Sequence, residues 1–206
     1  MTLYRLRADG TIKTLEEIKS SNLNLLLPAV LQQPEFDLLG IDPILQAPIP
    51  NITRFQYISL NGCIQDNLGN WIQNWVIVNH STDYIAKVKS DYKLELIEKV
   101  KQKRDLVKFQ GVFISNKWIH TDTYSRTQWM AMVMMGANLP IVSWTTMDKS
   151  TINTSQTLAM QVFQGVAIQD SLIYSVSSTH ISNILALDDA YGYDILTGWP
   201  TTFQGT

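Results

Sequence analysis

The sequence predicts an α+β fold: a small N-terminal domain containing a β-hairpin, followed by a mainly helical domain with two short β-hairpins. Three patterns predict it. Aromatic and β-branched residues flank a glycine- and asparagine-rich stretch over 54–78, as paired strands around a turn do. Apolar residues recur near helical spacing over 83–109 and again over 156–187. Between those helices, short apolar runs twice flank turn residues.

Element by element, residues 3–6 read as a strand, with a turn at Ala8-Asp9-Gly10. Thr14 followed by Glu17 is a capping-box pair, and a helix over 15–20 is expected. Residues 21–51 hold five of the seven prolines and read as irregular, with a brief element at Leu38-Leu39-Gly40-Ile41. Trp71 and Trp75 mark the second strand of the first hairpin, and 80–83 supplies the stop and cap for the next helix. That helix, 83–109, carries Ile85, Val88, Tyr92, Leu96, Val100 and Val107 on one side and lysines mostly on the other; Gly111 ends it.

Val112-Phe113-Ile114 and Trp118-Ile119-His120 make the second hairpin, with Trp118 expected to plug it onto the helices. Asp122 or Thr121 then caps a helix over 123–137, apolar almost all round through Trp129 and its methionines, so destined for a core or an interface. Trp144 sits in a third hairpin, and Thr154 or Ser155 caps the long helix. Its stripe, Val162 to Leu187, is near a coiled-coil period with polar interruptions at Gln169 and His180. The tail, 188–206, mixes glycine with Tyr191, Tyr193, Trp199 and Phe203 and reads as an arm docking in a neighbour. Deleting it is expected to leave the helical core folded but weaken association. The domains are thus 1–82, 83–187 and the arm 188–206.

Charged residues are 17% of the 206 and the net charge is −2, against about 25% charged in an average soluble domain. Neither disorder nor general nucleic-acid binding suits this composition. No apolar run approaches the roughly 20 residues of a membrane span, and residues 1–7 lack a signal-peptide core. The lone Cys63 forms no internal disulfide. The charge is unevenly placed: residues 83–108 hold 8 of the 16 Lys and Arg, whereas 109–206 hold 3 basic and 6 acidic side chains. Charge depletion with aromatics and Met retained marks interface cores.

Enzyme motifs are missing. There is no phosphate loop, no GxGxxG, no GxSxG and no HExxH. His80, His120 and His180 lie far apart, so no local metal spacing exists. The expectation is no catalytic, cofactor or metal residue. His180 reads as a satisfied core or interface histidine. Arg126, one of three basic residues after 108, is expected to bond a carboxylate or carbonyls.

Two blocks carry a resemblance. Gly69-Asn70-Trp71 through Trp75 resembles a G-x-W-x-x-x-W hairpin near the N-terminus of small bacteriophage tail proteins. Arg104, Gly111-Val112, Trp118, Asp122, Ser125-Arg126, Trp144 and the capped helix from Thr154 resemble a C-terminal domain of unknown function common in phage tail-fibre and baseplate-associated proteins. This second resemblance covers about 85–187. Asn116-Lys117 stands where that pattern usually has glycine, and the tail lies outside it.

The resemblance implies a non-enzymatic virion component: a tail-fibre, baseplate or fibre-attachment subunit made in the bacterial host's cytoplasm. Its partners would be other tail proteins and copies of itself, three-fold by analogy, with the host surface touched at most indirectly. Nucleic acid and membrane insertion are not expected. The alternatives are a fibre-assembly chaperone not retained in the particle and a glycan-acting enzyme. The enzyme would need two of Asp122, Asp148 and Asp170, the only acids between 109 and 187.

Overall fold

The structure is a computed structural model and describes residues 2–205. Helices and short antiparallel strand pairs alternate in an α+β arrangement. The chain divides into two compact units, Met1–Ile85 and Ala86–Thr206.

In the first unit, β1 (Leu3–Leu6) lies between β2 (Ile12–Thr14) and β3 (Ile41–Ile44), antiparallel to both. Helix α1 (Leu15–Ser21) starts at the Thr14–Glu17 capping box read from the sequence. Residues 21–51 are more regular than the prolines predict. They contain α2 (Gln33–Leu39) as well as β3. Pro34 sits in the first turn of α2, where its missing N–H costs nothing. Gly40 closes α2 with φ +62. Pro43 lies on an edge strand, where one side of the ladder is open. Tyr4, Ile18, Leu31 and Ile41 form the small core.

The hairpin is β4 (Gln56–Gln65) and β5 (Trp71–Asn79). Its turn is Asp66 to Asn70, tied by the Asp66 carboxylate accepting from the Leu68 and Asn70 amides. Asn61-Gly62, read as part of the turn, lies in a register shift between Leu60 and Cys63. Just beyond β3, Leu45 bridges to β5: its amide donates to the Trp71 carbonyl at 2.8 Å and its carbonyl accepts from the Gln73 amide at 3.0 Å. The hairpin is thereby tied to the chain just past the end of β3.

In the second unit, α3 (Thr82–Val107, beginning in the first) buries Leu96, Val100 and Val107, and pairs Lys87 with Asp91 and Lys99 with Glu95 one turn apart on its exposed side. Then come β6 (Val112–Ile114) and β7 (Lys117–Ile119). Their two-residue turn, Ser115-Asn116, has φ of +51 and +59. These are the angles of a type I′ turn, which asparagine tolerates without glycine. Helix α4 is Thr123–Met135, ending in a short 3₁₀ turn at Gly136–Asn138. Strands β8 (Ser143–Thr145) and β9 (Thr151–Asn153) precede α5 (Gln156–Ala186).

One core joins Val112 and Ile119 of the β6–β7 hairpin to Trp129 of α4 and to Leu158, Ala159 and Val162 of α5. Another joins Leu96 and Val100 of α3 to Ile184 of α5 and to Ala190. The tail completes that second core: Tyr193, Ile195 and Trp199 pack against it, and the Phe203 amide donates to the Gln110 carbonyl. The sequence reading of 188–206 as an arm for a neighbour is therefore corrected. Tyr193 and Trp199 lie on the helices of their own unit, covering apolar side chains that α3 and α5 leave between them, and Phe203 meets Trp118 of β7.

Candidate functional site

The Arg126 side chain makes four hydrogen bonds within the second unit. Asp122 caps α4, its carboxylate accepting from the Tyr124 and Ser125 amides at 3.0 Å and the Ser125 hydroxyl at 2.6 Å. These bonds hold the Asp122 carboxyl below its ordinary range, the Ser125 hydroxyl foremost. Thr121, the other capping candidate, is buried instead: its hydroxyl donates to the Lys108 carbonyl and accepts from the Gly111 amide. One turn into α4, Arg126 donates to both oxygens of Asp170 on α5 at 2.7 and 3.0 Å. It also donates to the Thr121 carbonyl at 2.6 Å and the Lys108 carbonyl at 2.7 Å. The planar fork thus ties α3, α4 and α5 together.

That pair has a second consequence. Arg126 is the one charged residue among the 13 of α4, and Asp170 is the one among the 31 of α5. Each neutralises the other, so neither helix presents an unpaired charge.

Beside the pair runs a groove of about 300 Å³ between α4 and α5. Trp129, Val162 and Val166 line it, together with Thr127, Met130, Phe163 and Ala167; His120 and the Arg126–Asp170 pair also border it. The helices run antiparallel here, because Arg126 meets Asp170 while Met130, further along α4, shares the groove with Phe163, earlier along α5. Helical spacing extends both rims, with Met134 on α4 and Met160 and Tyr174 on α5. These are exposed; Met134 is 82% so. Of the two settings expected for the apolar 123–137 helix, a core or an interface, the core of its own unit takes only part: only Ser125 and Trp129 of α4 are fully buried.

The other predicted residues have local roles. Trp71 lies under the Arg5 guanidinium at 4.1 Å, and the Trp75 indole donates to the Ala47 carbonyl. Trp118 meets the rings of Phe113 and Phe203, so it joins the hairpin to the tail where the sequence reading has it plug the hairpin onto the helices. Trp129 and Trp144 meet with tilted rings, centroids 4.6 Å apart, both indole N–H groups buried without an acceptor. His180 is bonded through both nitrogens, to the Tyr193 hydroxyl and the Thr197 carbonyl, with Trp199 stacked on its ring. Tyr191 is exposed beside Tyr92. The α5 stripe read as a coiled-coil seam is covered from within: Gln169 donates to the Gly111 carbonyl, and His180 holds the tail.

The three acids weighed for glycan chemistry are all engaged. Asp122 is a cap, Asp170 holds Arg126, and Asp148 accepts from Ser150 and Thr146 with Lys117 nearby, which together press its carboxyl far below the ordinary range. Among the described residues, no group of three or more His, Cys, Asp or Glu is placed to hold a metal ion, and no helix is long and apolar enough to cross a membrane. Sequence reasoning missed Asp170, Phe163, Met160 and Met134 as surface-defining residues. The signal was present: one lone acid in a long helix and one lone base in a short one.

A family model described as Domain of unknown function (DUF4376) matches residues 91–197. No curated protein and no solved structure matches the chain.

Proposed function

The chain belongs to the family described as Domain of unknown function (DUF4376), and from that premise we propose that it is a non-enzymatic structural component of a bacteriophage tail. It serves as a fibre, baseplate or fibre-attachment subunit and acts by protein–protein assembly. The observation that carries the assembly reading is the α4–α5 face, exposed and apolar, whose two helices carry no unpaired charge of their own. A free monomer keeps soluble with mixed surface charge, and α3 of the same unit has that kind of surface. The phage setting is supported by the Trp71–Trp75 hairpin motif and the spaced Gly111, Trp118, Asp122 and Arg126 pattern.

Mass spectrometry of purified particles, from a phage whose genome carries this chain, tests the proposal. The chain is expected among the virion proteins in defined stoichiometry to fibre or baseplate subunits. Its absence from mature particles overturns the structural role; absence combined with fibreless particles on deletion identifies an assembly chaperone instead.

A further inference from the structure

We propose that the α4–α5 groove and its rims are a self-association surface whose occupant is a second copy of this chain. This rests on the assembly reading and names the partner for it.

Met130, Met134, Met160, Phe163 and Tyr174 are between 38% and 82% exposed. At roughly 200 Å² per large side chain, together they offer about 500 Å² of apolar surface. A standard interface takes about 800 Å² from each partner, and about 65% of a homodimer interface is non-polar. The two figures agree, so this one face supplies the apolar share of a stable interface.

Arg126 and Asp170, the charged residues of α4 and α5, pair with each other, and Arg104 and Lys108 reach this face only at its margin, 5.2 Å from the Tyr174 ring. Such a face offers little to steer or register a strongly acidic or basic partner. It fits another face equally poor in charge, since no ion of the two helices is left unpaired when they meet. A second copy presents such a face by construction. The chain's net charge of −2 adds little repulsion between copies.

The exposed side chains Met160, Phe163, Ala167 and Tyr174 follow the three-and-four spacing of a helix seam. Small Ala167 and Thr127 at mid-groove leave room for an incoming helix ridge between the flanking large residues.

Sedimentation and light scattering of the full chain, over a range of concentrations, test this. The expected result is a mass at a whole multiple of 23.4 kDa. Phe163→Glu and Met134→Glu should each weaken association about 30-fold or more, the effect of losing an interface hot spot. Leu94→Glu, on an exposed α3 position 63% accessible, should leave it unchanged. Circular dichroism checks that each variant is folded. As a second readout, Met134→Cys in a Cys63→Ser background should give covalent dimers with a short thiol crosslinker, whereas Leu94→Cys should not. A wild-type chain monomeric throughout, or an oligomer indifferent to both Glu substitutions, overturns the inference. A monomer that is nonetheless present in virions overturns only this inference; a homo-oligomer absent from virions overturns only the structural role.

Discussion

Replacing Arg126 by alanine is the sharpest test of how the second unit is held together. The substitution removes four hydrogen bonds and leaves the Asp170 carboxylate and the Thr121 and Lys108 carbonyls without that donor. Truncating one partner of a fully buried ion pair costs about 3–5 kcal/mol, whereas an exposed pair contributes about 0–1 kcal/mol. Arg126 and Asp170 are 24% and 25% exposed, which places them between those limits. The expected loss is about 2–3 kcal/mol. For a unit of this size, that lowers the thermal midpoint by about 10 °C. Far-UV circular dichroism is the suitable assay, because α3, α4 and α5 dominate the helical signal. Lysine at 126 keeps the charge but loses the fork, so it should recover less than half of the loss. A double-mutant cycle with Asp170→Asn should give a coupling of about 1–2 kcal/mol. If Arg126→Ala melts within about 2 °C of the wild type, or Arg126→Lys is fully stable, the tie between the three helices is not what stabilises the unit.

Three further outcomes follow from local geometry. Asp122→Ala should cost about 1 kcal/mol at neutral pH through loss of the α4 cap; because the folded carboxyl lies below its unfolded value of about 3.9, its stabilisation is present above that pH and is lost as pH falls through the folded value, so Asp122→Asn should flatten acid unfolding in that window. Gly111→Ala should destabilise by about 1–3 kcal/mol in a thermal melt, since φ is +88 and the added methyl would collide with the Met147 sulfur; Met147→Ala should relieve only the steric part. Trp199→Ala should cost about 2 kcal/mol and speed proteolysis of the tail, and truncation before Ala190 should cost more, because Leu96, Val100 and Ile184 lose their cover; an unchanged melting curve would mean that the tail does not complete the core.

How much was legible in the sequence follows from the range of each interaction. The Thr14–Glu17 box, the Asp122 and Ser155 caps and the paired strands around Ser115-Asn116 and Met147-Asp148-Lys149 are decided within a few residues, so the sequence contains the whole cause. Residues 33–44 were hidden because proline was read as a breaker, although Pro34 stands in a first turn and Pro43 on an edge strand, the two places where it is tolerated. The partner of Arg126 was hidden by distance: Asp170 is 44 residues away. The tail was misread for the same reason. Its glycines suggest a mobile arm, and only the α3–α5 cleft, assembled from residues about 90 apart, gives Tyr193 and Trp199 a reason to stay.

The scarcity of charge has to be apportioned before it means anything. Burial inside the chain explains one side of α5, where Val162, Ile173 and Ile184 face the hairpins, α4 and the tail. It does not explain the two flanks: Phe163 and Tyr174 on one and Ile168 and Leu172 on the other are exposed, and α5 itself carries no lysine or glutamate beside them. Helix propensity is no cause either, since Glu, Lys and Arg are among the better helix formers. The control lies in the same unit. Helix α3 is 26 residues long, shares a core with α5, and still carries i,i+4 ion pairs on its open side. Two helices of one fold, under the same demands of stability, therefore differ in the surface they present: α3 carries charge suited to water, whereas α5 and the methionines of α4 beside it leave the apolar surface on which the proposed assembly role rests.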